Sequence, residues 1–120
     1  MTDHAVVMVD INGRITLWSL GAEALFGHRQ AAAVGQTLDL IIPGHLRERH
    51  WAGFHRAMQS PQVKDLAVDL PVTCADGQMR TYPGRFLTLS DGLGEAVGAV
   101  AIFAADGSTG IRPFEPEDEP

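Results

Sequence analysis

The middle of the chain constrains the fold most, because a long segment with helical periodicity there separates two segments with strand-like patterns. Pro43 can occupy the first helical turn, and no further proline occurs before Pro61. We therefore predict one helix of about four turns over Pro43 to Ser60. At about 100° per residue, His50 falls on its apolar stripe, within about 60° of four small or apolar side chains: Leu46, Gly53, Phe54 and Ala57.

His50 is the candidate functional residue of this helix. His45 and His55 lie about 140° away on the polar face, where we expect them to contact water. Gly53 and Ala57 are small and would leave a groove beside the imidazole, in which a flat ligand could lie. A histidine in this position either bonds a backbone carbonyl or water within the core, or contacts a ligand.

Strand patterns flank the helix on both sides. An apolar run at Ala5 to Val9 and an alternating run at Arg14 to Trp18 enclose Asp10-Ile11-Asn12-Gly13, which predicts a β-hairpin. The remaining predicted elements follow in chain order: a helix over Leu20 to Phe26 with Ser19 as N-cap and Gly27 as stop, a short helix over Arg29 to Val34, an extended segment over Leu38 to Ile42, and strands over Leu66 to Thr73, Met79 to Leu89 and Ala96 to Ala104. This order indicates an α+β domain with a five-stranded antiparallel sheet, one face of which is covered by short helices and one long helix.

Composition limits the classes of function. The chain has 120 residues, enough for one domain, and its single cysteine, Cys74, cannot form an internal disulfide. We find no signal peptide and no apolar run long enough to cross a membrane, so we expect a cytoplasmic protein. The net charge of −6 and the scattered basic residues argue against nucleic-acid binding. We assign residues 1–104 to the domain and residues 105–120 to an acidic, proline-rich tail that we expect to be disordered.

The combined motifs resemble those of the PAS domain family over about residues 4 to 104. The resemblance rests on the Asp-x-x-Gly-x-Ile hairpin at Asp10, the Ala-Glu-x-Leu-Phe-Gly helix ending at Gly27, the Val34-Gly35 pair, and Ile41-Ile42-Pro43 before the long helix. It implies a sensor module in which the sheet and the long helix enclose a ligand cavity. It also implies a homodimer formed through the outer face of the sheet, and a downstream signalling partner that the sequence does not identify.

At the long helix the chain is most similar to haem-binding oxygen sensors of the FixL type. Their Arg-x-x-His matches Arg47-Glu48-Arg49-His50, which implies that His50 is the metal ligand of haem b and that Arg56 contacts a propionate. At about 100° per residue, however, Arg56 lies about 120° away from His50 around the helix axis. Where these sensors have a gas-binding arginine this chain has Val68, which we assign with Leu70 to the apolar distal side. The implied signal is a diatomic gas or a redox change.

Two other functions remain open. One is a PAS domain that binds a small organic metabolite, with a cavity wall formed by four aromatic residues: Trp18, Phe26, Phe54 and Phe86. The other is a ligand-free dimerisation module. The flavin photosensor branch is excluded, since it needs a cysteine before the long helix and Cys74 follows it. We find no nucleophile, base and orienting group in a catalytic motif, so we do not expect an enzyme.

Overall fold

A computed structural model describes residues 4–59 and 65–111, which form five strands and three α-helices. The strands are β1 (Ala5–Val9), β2 (Ile15–Trp18), β3 (Asp65–Thr73), β4 (Met79–Ser90) and β5 (Ala96–Phe103). The helices are α1 (Leu20–Phe26), α2 (Gln30–Ala33) and α3 (Arg47–Gln59), and two 3₁₀ turns lie at Leu38–Leu40 and Gly44–Leu46.

The strands form one antiparallel sheet in the order β2-β1-β5-β4-β3. The predicted first hairpin is confirmed, and Asp10 explains its turn. The Asp10 carboxylate accepts hydrogen bonds from the backbone N–H of Asn12 at 2.9 Å and of Arg14 at 3.0 Å. Gly13 takes φ 77°, which a residue with a side chain rarely adopts. With one five-stranded antiparallel sheet and three α-helices, the predicted α+β class is confirmed.

The helix α1 begins and ends where its capping residues predict, whereas α2 (Gln30–Ala33) is shorter than the predicted Arg29 to Val34 and has no side-chain cap at Arg29. The Ser19 hydroxyl accepts a hydrogen bond from the Ala22 N–H at 3.1 Å, and Gly27 ends α1 with φ 87°. The prediction of an extended segment over Leu38 to Ile42 was wrong, because the Ile41 N–H donates to the Leu38 carbonyl at 3.0 Å and closes a 3₁₀ turn. The long helix also starts later than predicted, at Arg47, after the second 3₁₀ turn.

The core lies between the inner face of the sheet and the helices. It contains apolar residues from both hairpins and from the helical segment, among them Val7, Ile15, Trp18, Phe26, Val68 and Phe103. Pro71, which cannot donate to a strand ladder, lies in β3 at the edge of the sheet, as predicted. The helices thus cover one face of the sheet, and the other face is not covered by an α-helix in the described part of the chain.

The predicted tail divides at residue 111. Residues 105–111 are described and form hydrogen bonds to β3, whereas residues 112–120, which carry most of its acidic side chains, lie outside the described residues. Within the two described ranges, no helix is long and apolar enough to span a membrane.

Candidate functional site

A cavity of about 80 Å³ lies between α3 and the inner face of the sheet. On the helical side its wall consists of side chains from the two 3₁₀ turns, the residues between them, and α3: Leu38, Ile41, Ile42, Pro43, Leu46, His50 and Phe54. Residues of β1, β3, β4 and β5 form the opposite wall. Among the described residues that line the cavity, His50 has the only polar side chain. The site is therefore an apolar chamber with one hydrogen-bonding group.

His50 is held in that chamber as a neutral imidazole. Burial lowers its pKa from 6.5 to about 4, although the nearby Asp39 carboxylate opposes this shift. The Nδ1 atom is buried and has no hydrogen-bond partner among the described residues. The ring stacks on Phe54 with centroids 6.3 Å apart and meets Trp51 edge-on at 4.7 Å. His50 thus lines the cavity with an uncharged ring that has one unpaired nitrogen, and a ligand that reaches this nitrogen can bind it.

Trp51 and Asp39 fix the position of α3, and the sequence reasoning missed both. Trp51 Nε1–H donates to Asp39 Oδ1 at 2.6 Å, which joins α3 to the 3₁₀ turn beside the cavity. The Trp51 ring also packs against Gly13, where an added Cβ would overlap it. Arg47 strengthens the junction by donating to the Asp39 carbonyl at 3.2 Å. In the sequence, this junction was indicated by a tryptophan directly after His50 and by an acidic residue in the first 3₁₀ turn, Leu38–Leu40.

Four of the eight residues predicted for the site converge on the cavity: Leu46, His50, Phe54 and Leu70. Val68 does not line it and packs in the core instead, where it is 1% exposed. Gly53 and Ala57 also lie outside the lining, and the space next to Gly53 is empty within 4 Å of an added Cβ. Arg56 is exposed on the far side of α3. The predicted groove beside Gly53 is thus separate from the cavity.

The four aromatic residues predicted as a cavity wall divide in the same way. Phe54 and Phe86 line the cavity. Trp18 and Phe26 are fully buried elsewhere, with ring centroids 5.6 Å apart in an edge contact. Trp18 Nε1–H donates to the His28 carbonyl at 2.9 Å, so its polar atom is satisfied within the fold. These two aromatics serve the core.

The residues fit a haem in donor chemistry but not in volume. A neutral imidazole is the form that binds iron, and His50 is neutral. A cavity of about 80 Å³ holds about three water molecules at roughly 30 Å³ each, far less than a porphyrin occupies. A ligating histidine normally donates its second ring N–H to a fixed acceptor, and Nδ1 has none among the described residues. A haem would therefore require α3 to move away from the sheet.

Comparison with known proteins gives one family. A sequence model described as the PAS fold matches residues 2–106. The sensor protein FixL of Bradyrhizobium diazoefficiens is 33% identical to this chain over 61 residues, which are 49% of this chain and 12% of that protein. The matched segment spans only 11% and 12% of the length of two curated relatives, an uncharacterised protein of Azorhizobium caulinodans and FixL, respectively.

Solved structures show the same fold. The PAS domain of a protein from Colwellia psychrerythraea superposes with a TM-score of 0.73 at 21% identity, covering 84% of each chain. The PAS domain of the RpfR quorum-sensing receptor of Cronobacter turicensis, solved in complex with BDSF, superposes with a TM-score of 0.66 at 10% identity, covering 87% of this chain and 94% of that one. With the family match over most of its length, this chain belongs to the PAS domain family.

Proposed function

We propose that this sensor domain binds a small, mostly apolar organic ligand in the cavity and holds it through His50. The observation that carries the proposal is the pairing of an apolar chamber with one neutral, unpaired imidazole nitrogen. Ligand pockets bind by burying apolar surface, while a few polar groups orient the ligand. At about 80 Å³ this cavity admits only a very small molecule as it stands, so a larger organic ligand, like haem, requires α3 to move away from the sheet. The proposed role is binding and signalling without catalysis.

The chemistry of the ligand follows from the chamber. Burial of apolar area contributes about 25 cal/mol per Å², so a hydrocarbon portion supplies most of the affinity. His50 is uncharged at neutral pH, because its pKa is lowered to about 4. It therefore favours a hydroxyl, carbonyl or N–H group over a charged group, which no side chain in the described lining would neutralise. The complex of the RpfR domain with BDSF supports small-molecule binding by this fold.

Haem b, with a diatomic gas or a redox change as the signal, is the second candidate. It is favoured by the neutral His50 in an Arg-x-x-His sequence and by the similarity to FixL. In this case one nitrogen of His50 would hold the iron, and bound haem would supply the gas-binding centre. The exposed position of Arg56 allows a propionate contact only if the propionate reaches the outer side of α3.

Signalling requires that occupancy of the cavity changes a surface that a partner contacts, and we infer that a second copy of the chain binds the outer face of the sheet. Cross-strand pairing aligns four apolar residues in one row across β2, β1, β5 and β4: Leu17, Met8, Val100 and Leu87. Leu17 is 41% exposed. A ligand that displaces α3 or the sheet would alter this row. We expect the wild type to sediment as a dimer that Met8→Glu weakens, and a monomer at all concentrations would contradict this inference.

One experiment separates the ligand classes. The purified protein is incubated with haemin, freed of excess and examined by absorption spectroscopy, while a second sample is denatured and its extract analysed by mass spectrometry. The wild type is compared with His50→Leu and with His55→Leu, whose histidine is exposed and lies outside the cavity lining.

An organic molecule that is retained by the wild type and by His55→Leu, and lost from His50→Leu, supports the small-ligand proposal. A Soret band that depends on His50 supports haem instead. If neither a molecule nor a band is retained, both proposals fail and the interaction module remains.

A further inference from the structure

The segment that follows β5 crosses the sheet and binds the edge strand. The Ala104 N–H donates to the Pro83 carbonyl of β4 at 2.9 Å, and Pro83 pairs with Asp69 of β3. Farther along, the Ile111 carbonyl accepts a hydrogen bond from the Asp69 N–H at 2.7 Å. We call residues 108–111 the strap. The chain therefore leaves β5 and ends up bonded to β3, two strands away.

The Asp69 carboxylate is the anchor of the strap. It accepts hydrogen bonds from the Ser108 hydroxyl at 2.6 Å, the Thr109 N–H at 2.7 Å, the Thr109 hydroxyl at 3.1 Å and the Gly110 N–H at 3.2 Å. These bonds, with that of Ser108 the strongest, lower the pKa of Asp69. Four donors on one carboxylate require that it carry its negative charge and that no second anion approach it.

The strap lies on the face of the sheet opposite the cavity. Val68, Leu70 and Val72 are buried on the inner side of β3, so Asp69 between them points outward. Ser108 is exposed, although its hydroxyl contacts the anchor. An added negative charge at position 108 would therefore be placed directly against the Asp69 carboxylate.

We propose that the strap is a charge-controlled device that docks on Asp69 and opens when negative charge is added at Ser108. Docked, it keeps residues 108–111 hydrogen-bonded to Asp69 at the edge strand. Open, it leaves the Asp69 carboxylate and backbone N–H without these bonds. The proposal does not depend on which ligand, if any, occupies the cavity.

Amide hydrogen exchange of the 120-residue chain, followed by NMR, tests the proposal. In Asp69→Ala we expect exchange at Thr109 and Gly110 to accelerate by about tenfold or more, because two amides lose a charged acceptor. Asp91→Ala is the matched control, since Asp91 Oδ1 accepts from the backbone N–H groups of Leu93 at 2.8 Å and Glu95 at 3.0 Å but does not contact the strap. Asp91→Ala should accelerate amide exchange only in its own loop, at Leu93 and Glu95.

Two variants of Ser108 test the role of charge. Ser108→Glu should accelerate exchange at Thr109 and Gly110, and Ser108→Gln, of similar size but uncharged, should do so much less. Unchanged exchange in Asp69→Ala would overturn the anchor. Equal effects of the two Ser108 variants would overturn charge control. If exchange accelerates equally in β1 and β5, Asp69 supports the whole fold and the proposal of a separate device is wrong.

Discussion

Replacing His50 by leucine should make the stability of the domain less sensitive to acid. In the folded protein, burial lowers the pKa of His50 from 6.5 to about 4. In the unfolded chain the same side chain titrates near its ordinary value of about 6.5. Between these two pH values the unfolded state binds a proton that the folded state does not, so the free energy of unfolding falls as the pH falls.

The magnitude follows from the shift. Above about pH 6.5 both states hold a neutral His50, and this term is close to zero. At pH 5 the unfolded state is favoured by about 2 kcal/mol, and near pH 4 the loss approaches about 3 kcal/mol. His50→Leu has no proton to take up. The free energy of unfolding of His50→Leu minus that of the wild type should therefore be about 2 kcal/mol larger at pH 5 than at pH 7.5.

The assay is urea unfolding of the wild type and His50→Leu at pH 7.5 and pH 5. The difference between the two pH values is the informative quantity, because changes in packing contribute about equally at both. His55→Leu is the control: its side chain is exposed, and its effect should stay within about 0.5 kcal/mol at either pH. If His50→Leu changes the stability equally at both pH values, His50 is not held neutral and the account of the cavity is wrong.

Three further substitutions test the packing of α3 and the N-cap of α1. Gly53→Ala should raise the free energy of unfolding by about 0.5 to 1 kcal/mol, because an added Cβ on α3 meets nothing within 4 Å; a loss measured by thermal unfolding would contradict the empty space there. Gly13→Ala should lower it by about 2 kcal/mol or more, since φ is 77° and the new Cβ would overlap Trp51; an unchanged melting temperature would show that the Trp51 ring does not pack there. Ser19→Ala should cost about 1 to 3 kcal/mol in urea unfolding, because its hydroxyl accepts from the backbone of both Ala22 at 3.1 Å and Val6 at 2.8 Å; a loss below about 0.5 kcal/mol would mean that water replaces it.

Local patterns were sufficient for most of the fold. Turn and capping residues such as Gly13, Ser19 and Gly27 act within a few positions, so their effects can be predicted without knowledge of the tertiary structure. The helical periodicity of about 100° per residue also placed His50 on the side of α3 that contacts the cavity. The prediction of an extended segment over Leu38 to Ile42 was wrong because a short apolar stretch has no periodicity that distinguishes a strand from a helical turn.

Long-range contacts account for what the sequence did not predict. Trp51 meets Asp39 across 12 positions, and Asp69 meets the strap across about 40, and neither pairing leaves a local pattern. Val68 and Leu70 are both buried on one face of β3, yet only Leu70 reaches the cavity. Alternation identifies the buried face of a strand, but the position of an empty volume depends on how helices pack above it.

Both edges of the sheet are protected against the addition of a foreign strand. At β3, Pro71 has no N–H to offer and the Asp69 N–H is already bonded to Ile111. At β2, the Ile15 N–H and carbonyl are bonded to Gln36 and Gly35, 2.8 and 2.9 Å away. At these positions the sheet cannot extend by edge-to-edge growth, the route by which exposed strands aggregate. For the dimer proposed above, this leaves the face of the sheet rather than its edges as the contact surface.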